Sequence, residues 1–131
     1  MSQNPTRLPK ILLVEDHDQV RETIKIELEV MYGCLIVEAA DGRSAVEMAR
    51  QHRPDLIIMD MHLPELDGFE ATRLIHAQPE TQHVPVVALS GYGWDFDWEE
   101  RALAVGCVEC LRKPVTYEAL YDLLQRRLPG T

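Results

Sequence analysis

Long apolar runs are missing from this chain of 131 residues. A membrane-spanning helix needs roughly 20 consecutive apolar residues, and no stretch approaches that, so no membrane insertion is expected. Residues 1–10 also lack the apolar segment of a signal peptide. Cysteine is scarce: Cys34, Cys107 and Cys110 are the only three, an odd number that points to reduced thiols and not to a disulfide framework. Together these shortages predict a cytoplasmic location. Positive charge is short as well, with 13 Lys and Arg against 22 Asp and Glu and a net charge of −9. No basic run exceeds Arg126-Arg127. Such a surface repels polyphosphate backbones, so direct DNA binding is not expected. Internal repeats, linkers and low-complexity segments are absent too. The length suits one domain over residues 8–131, preceded by a short polar tail at 1–7.

What the chain does have is short apolar runs alternating with stretches of helical period, the pattern of a parallel sheet built from βαβ units. Val20, Ile24, Leu28 and Met31 share one helical face that ends near Gly33. A second strand is expected at Cys34 to Glu38. Asp41-Gly42 is turn chemistry opening a helix through Ala45, Val46 and Ala49 that stops before Pro54. Asp67 with Glu70 three residues on reads as a capping box for a helix through Leu74 and Ile75. Strands at Leu56 to Met59, Val84 to Leu89 and about Val108 to Leu111, and helices at Asp97 to Val105 and through Leu120, Leu124 and Leu128, complete the reading.

Four of the strands run straight into a polar residue. Asp16 follows Ile11-Leu12-Leu13-Val14, Asp60 follows Leu56-Ile57-Ile58-Met59, Ser90 follows Val86-Val87-Ala88-Leu89, and Lys113 follows Val108 to Arg112. In a parallel sheet these side chains converge at the carboxyl edge, where open α/β sheets bind ligands. Glu15, Asp16 and Asp60 then crowd one crevice, and like charges that close require a proton or a cation. An all-oxygen set completed by water and phosphate describes Mg²⁺, or Mn²⁺ in its place, better than zinc. A carboxylate is a competent nucleophile toward phosphorus. Lys113 can neutralise the incoming oxygens, Ser90 can donate a hydroxyl, and Gly91 leaves room and a free backbone N–H. The plainer reading, that these acids only cap the next helix as Asp18 is expected to do, leaves the converging lysine unexplained.

At Ile11 to Asp16, Asp55 to Thr72, Ala88-Leu89-Ser90-Gly91 and Leu111-Arg112-Lys113-Pro114 the chain resembles the receiver domain of two-component response regulators, chemotaxis-regulator-like, over about Leu8 to Leu128. The resemblance implies an α/β, flavodoxin-like (βα)₅ fold, a five-stranded parallel sheet in order 2-1-3-4-5 with helices on both faces. It implies that Asp60 accepts a phosphoryl group from a sensor histidine kinase or histidine phosphotransfer protein. Mg²⁺ would be held by Asp16 and Asp60, by Glu15 through water, and by the backbone carbonyl of His62. Lys113 would pair with the acyl phosphate, Ser90 would swing toward it, and the backbone at Gly91 and Met61 would contact it. The Lys113-Pro114 peptide would be cis. Such a domain is no enzyme beyond its own phosphorylation and dephosphorylation, and it acts by switching its binding to a downstream protein. Because the chain ends after its last helix, no output module is expected. A stand-alone regulator and a receiver cut from a hybrid kinase both fit.

Three departures stand out. Cys110 occupies a position that is usually aromatic, His62 and Tyr92 occupy two that tune the acyl phosphate lifetime, and the loop from Tyr92 to Trp98 is unusually aromatic. Trp94, Phe96 and Trp98 read either as core cover or as a docking surface. The acids Asp95, Asp97, Glu99 and Glu100 read as a solvated face. Cys107 and Cys110 have a zinc-knuckle spacing, but without a second pair, and with the thiols expected on opposite faces of a strand, reduced thiols are the better reading. A haloacid-dehalogenase phosphatase wants a second acid where His62 stands, and a flavin carrier wants a phosphate loop where Glu15-Asp16-His17-Asp18 would repel it. The serious alternative is a pseudo-receiver, an interaction module that works without phosphorylation.

Overall fold

The computed structural model describes residues 8–91 and 97–128. Within them β1 (Lys10–Val14), β2 (Leu35–Ala39), β3 (Leu56–Asp60), β4 (Val86–Ser90) and β5 (Glu109–Arg112) alternate with α1 (Asp18–Tyr32), α2 (Gly42–His52), α3 (Gly68–His76), α4 (Trp98–Ala104) and α5 (Tyr117–Arg127). All neighbouring strands pair parallel in the order β2-β1-β3-β4-β5. This is the flavodoxin-like order that the resemblance implies. The strands sit within a residue or two of their expected places, and β4 extends far enough to include Ser90.

Alternation along the apolar strands decides the two faces. Leu12, Val14, Ile57, Met59, Val86 and Ala88 pack against α2, α3 and α4, while Ile11, Leu13, Leu56, Ile58, Val87 and Leu89 pack against α1 and α5. Every residue of β3 and β4 is buried because helices cover both sides, which is why these strands read as unbroken apolar runs. Each fully buried Leu or Ile contributes about 1.5–3 kcal/mol over leaving it in water. Trp98 is 2 % exposed and belongs to the α2–α3–α4 face. It is core, not docking surface. Trp94, Phe96, Tyr92 and Asp95 lie outside the described residues.

Local chemistry starts and stops the helices. Asp41 caps α2 by accepting from the Ser44 N–H at 2.8 Å, Asp67 caps α3 by accepting from Glu70 N–H at 2.9 Å, and Thr116 caps α5 by accepting from Ala119 N–H at 3.1 Å. The capping box at α3 is only half formed, since Glu70 turns to Arg73 instead. Asp18 does not cap α1: the cap position is His17, and Asp18 sits in the first turn, paired with Arg21 at 3.0 Å. An acid one residue inside the helix still favours its N-terminus through the dipole. Gly33 ends α1 in the left-handed region, φ 62.

A second correction concerns the thiols. Cys107 lies before β5, so strand alternation does not apply to it, and both Cys107 and Cys110 pack against the α2–α3–α4 face. Burial pushes the Cys107 thiol up to about 11, which makes it an unreactive core residue.

Glu109 on β5 ties α5 to the sheet edge through Arg126 and Arg127, each at 2.6 Å. The Arg126 hydrogen bond, opposed in part by burial and reinforced by Arg127, holds this carboxyl below its ordinary 4.5. A depressed acid stabilises the fold above its unfolded value and loses that contribution as pH falls through its folded value. Glu109→Gln should therefore lower stability at pH 7 by about 1 kcal/mol or less. Urea unfolding should show the gap from the parent closing as pH drops below 4.5.

Candidate phosphoryl-transfer site

Parallel pairing places the ends of β1, β3, β4 and β5 along one edge of the sheet. Glu15 and Asp16 follow β1 and Asp60 ends β3; their carboxylate oxygens lie within 4.8 Å of one another. Glu15 is 1 % exposed and Asp60 3 %, whereas Asp16 is exposed. Lys113, just past β5, reaches both buried acids, with Nζ 2.6 Å from Glu15 Oε1 and 2.8 Å from Asp60 Oδ2. The Lys113-Pro114 peptide that follows is cis.

That reach is long. β4 separates β5 from β3, and strands are spaced about 4.8 Å apart, so the lysine stem must cross the end of β4. Gly91 stands at the crossing. A side-chain carbon there would lie 3.7 Å from Lys113 Cδ, with nothing else within 4 Å. The missing side chain keeps the crossing open.

Every carboxylate oxygen of the two buried acids is engaged. Asp60 Oδ1 accepts from His62 N–H at 2.9 Å while Oδ2 meets the lysine. Glu15 Oε2 accepts from His17 N–H at 3.0 Å. Burial nonetheless raises the Glu15 pKa, against the opposing pull of Lys113 and the His17 amide. Burial also pulls Lys113 down, but its hydrogen bonds to Asp60 and Glu15 outweigh this and raise it. The lysine stays charged.

Three carboxylates against one ammonium leave two negative charges, which one divalent cation would balance. The donor set is oxygen only, and the exposed Asp16 offers an oxygen to solvent, so the residues fit a hard cation such as Mg²⁺. His62, also exposed, lines the cleft with its side chain on the solvent side. The cleft, about 650 Å³, runs from the acids along Gln19, Val20 and Thr23 of α1 to Val115. This α1 wall had no signal in the sequence beyond the polar side of an amphipathic helix.

Ser90 behaves differently from the other converging residues. It is 0 % exposed, and its hydroxyl has no hydrogen-bond partner. Buried hydroxyls are rarely left unpaired, and leaving one so costs about 1–3 kcal/mol. Such a group is poised to gain when an acceptor arrives.

A family model for the response regulator receiver domain matches residues 11–125, and the chain belongs to this family. Among its relatives, the polar-differentiation response regulator DivK of Brucella anthropi is 30% identical over 121 residues, covering 92% of this chain and 98% of DivK. The fold matches the receiver domain of sensor histidine kinase PA1611 from Pseudomonas aeruginosa PAO1, solved with a magnesium ion in its active-site cleft. That match has 38% identity and a TM-score of 0.83, covering 92% of this chain and 97% of that one. It also matches the chemotaxis protein CheY4 of Vibrio cholerae at 31% identity and a TM-score of 0.84, covering 92% and 99%.

The orphaned hydroxyl makes an unusual stability prediction. Ser90→Ala removes an unsatisfied buried group with little change of volume, so the unphosphorylated protein should be as stable as the parent or up to about 1 kcal/mol more stable. Urea unfolding at neutral pH measures this. A loss above about 1 kcal/mol would mean that the hydroxyl is paired in solution.

Proposed function

We propose that this receiver domain is a phosphorylation switch with Asp60 as the acceptor. The observation that carries the reading is the state of the Asp60 carboxylate. It lies at the edge of an open cleft, oriented by the His62 amide and the Lys113 ammonium. Two further carboxylates stand within metal-binding distance of it. An oriented carboxylate beside a fixed cation is prepared for in-line attack, because phosphoryl transfer depends chiefly on positioning and charge neutralisation.

In the forward step an Asp60 oxygen forms a bond to phosphorus while the phosphorus–nitrogen bond of a phosphohistidine breaks. The electron pair leaves with the imidazole, which takes up a proton. The donor is a sensor histidine kinase or a phosphotransfer protein, and it reaches Asp60 through the cleft beside α1. Lys113 pairs with the phosphoryl oxygens, the Gly91 and Met61 backbone contacts them, and the Ser90 hydroxyl turns to donate to one. Glu15, Asp16, Asp60 and the His62 carbonyl would hold Mg²⁺, which when bound supplies positive charge against the phosphoryl oxygens. Magnesium in the cleft of the PA1611 receiver supports that assignment. Water attack on the acyl phosphate resets the switch, with His62 at its rim and the residue at position 92 tuning the lifetime. The chain has no other substrate, and it signals in the cytoplasm by binding a further protein.

The output cannot be an inward swing of a large ring at position 110, where a half-buried cysteine stands. Drawing in Ser90 and Lys113 instead moves the ends of β4 and β5, and with them α5, whose Tyr117 and Tyr121 are exposed. Small charge-driven shifts of this kind bias surfaces that have two arrangements.

Incubation with Mg²⁺ and acetyl phosphate should add one phosphate, labile to hydroxylamine, as intact mass will show. Asp60→Asn should remove it. Equal labelling of the Asn variant sinks the acceptor assignment, and no labelling of the parent would favour an interaction module independent of phosphorylation.

A further inference from the structure

Gly42 opens α2 from a buried position distant in sequence from Asp60. A carbon added to it would lie 2.0 Å from the Leu66 carbonyl oxygen, 2.9 Å from the carbonyl carbon and 3.0 Å from Leu66 Cβ. The two nearest atoms are backbone, so no side-chain rotation relieves the clash. The first turn of α2 therefore rests directly on the main chain of the loop between β3 and α3.

Both partners in this contact are stiff. On the helix side, the Asp41 carboxylate caps the Ser44 N–H. On the loop side, Gly68 N–H donates to the Met61 carbonyl at 3.0 Å and closes residues 61–68 into a compact turn. Glu65, beside the contact, holds a left-handed φ of 64, unfavourable for a residue with a side chain. A carbon on Gly68 would lie 2.4 Å from the Asp60 carbonyl oxygen, so the loop's far end is also pressed against the end of β3. The same loop carries His62, between Asp60 and Leu66 in the chain, whose amide orients the Asp60 carboxylate at 2.9 Å.

We infer that Gly42 is a positioning residue for phosphoryl transfer at Asp60: the N-terminus of α2 braces the 61–67 loop and so sets the direction of the acceptor carboxylate and of the His62 backbone. The inference rests on the acceptor reading above for its consequence in chemistry. The brace itself is a property of the fold.

The test is Gly42→Ala in the full chain. Displacing a positioned group by about 1 Å can cost up to a hundredfold in rate. The variant should show a Mg²⁺ dissociation constant raised at least about threefold by calorimetry and phosphorylation by acetyl phosphate slowed about tenfold. Amide exchange at His62, Leu63, Glu65 and Leu66 should be faster, at a temperature where circular dichroism reports full folding. Ala49→Gly, which weakens α2 at its other end, is the control and should leave the Mg²⁺ affinity and these amides unchanged. Unaltered loop exchange in folded Gly42→Ala, or equal losses in the control, overturns the brace. If Gly42→Ala does not fold, Asp41→Ala, which uncaps the same turn, must speed exchange at those four amides, and unchanged exchange there rejects the inference. If the parent takes no phosphate while Gly42→Ala loosens the loop, the brace stands and the acceptor reading falls.

Discussion

Everything at the carboxyl edge of the sheet depends on one ammonium group placed between two buried carboxylates. Glu15 and Asp60 sit at the ends of adjacent central strands, almost wholly out of water, and Lys113 meets Asp60 from two strands away and Glu15 from three. Removing one member of a buried pair strands the other's charge, typically at about 3–5 kcal/mol. The lysine thus makes the acidic edge tolerable for folding, yet it leaves charge uncompensated and Asp16 turned to solvent. A site built this way keeps a standing demand for cations at the place where a phosphoryl group would need them. The passage over β4 that permits it exists because Gly91 carries no side chain.

The two apolar faces supply the rigidity that such a site requires. Side chains of α1 and α5 close one face and those of α2, α3 and α4 the other. Close packing of this kind transmits displacement instead of absorbing it. The backbone contacts at Gly42 and Gly68 extend that stiffness into the loop after β3, which would otherwise be the least constrained part of the site. Against this background Ser90 is the exception. Its buried hydroxyl has no hydrogen-bond partner, as is also true of Trp98 Nε1 in the core, but of the two only Ser90 stands at the edge where the acids and Lys113 converge.

Membership of the receiver family settles the fold and the signalling class, while individual departures give this chain its character. Trp98 is enclosed in the core at the start of α4, so its ring serves packing. Cys110, small and half-buried against the same face, leaves the edge at β5 without a large rotating side chain. Tyr117 and Tyr121 on α5 are the aromatic groups that the described residues leave exposed.

The sequence alone determined the element order, the parallel sheet and the meeting of Asp16, Asp60 and Lys113 at one edge. Strand runs, helical period and caps such as Asp41 and Asp67 are set by neighbours a few residues apart, and a parallel sheet aligns strand ends whatever the loops do. It also read Glu15 into the same crevice, because the residue adjoins Asp16. Only the tertiary structure decided which helices cover which face, since a strand buried on both sides shows no alternation in its letters. The cap of α1 at His17, the common face of Cys107 and Cys110 and the burial of Trp98 were also decided by the tertiary structure, because each depends on where an element starts or on what packs against it. The contact of Gly42 with Leu66 was the least legible of all. It joins two backbones 24 positions apart, and a glycine in a turn looks the same whether its missing side chain serves a dihedral angle or a neighbour's carbonyl.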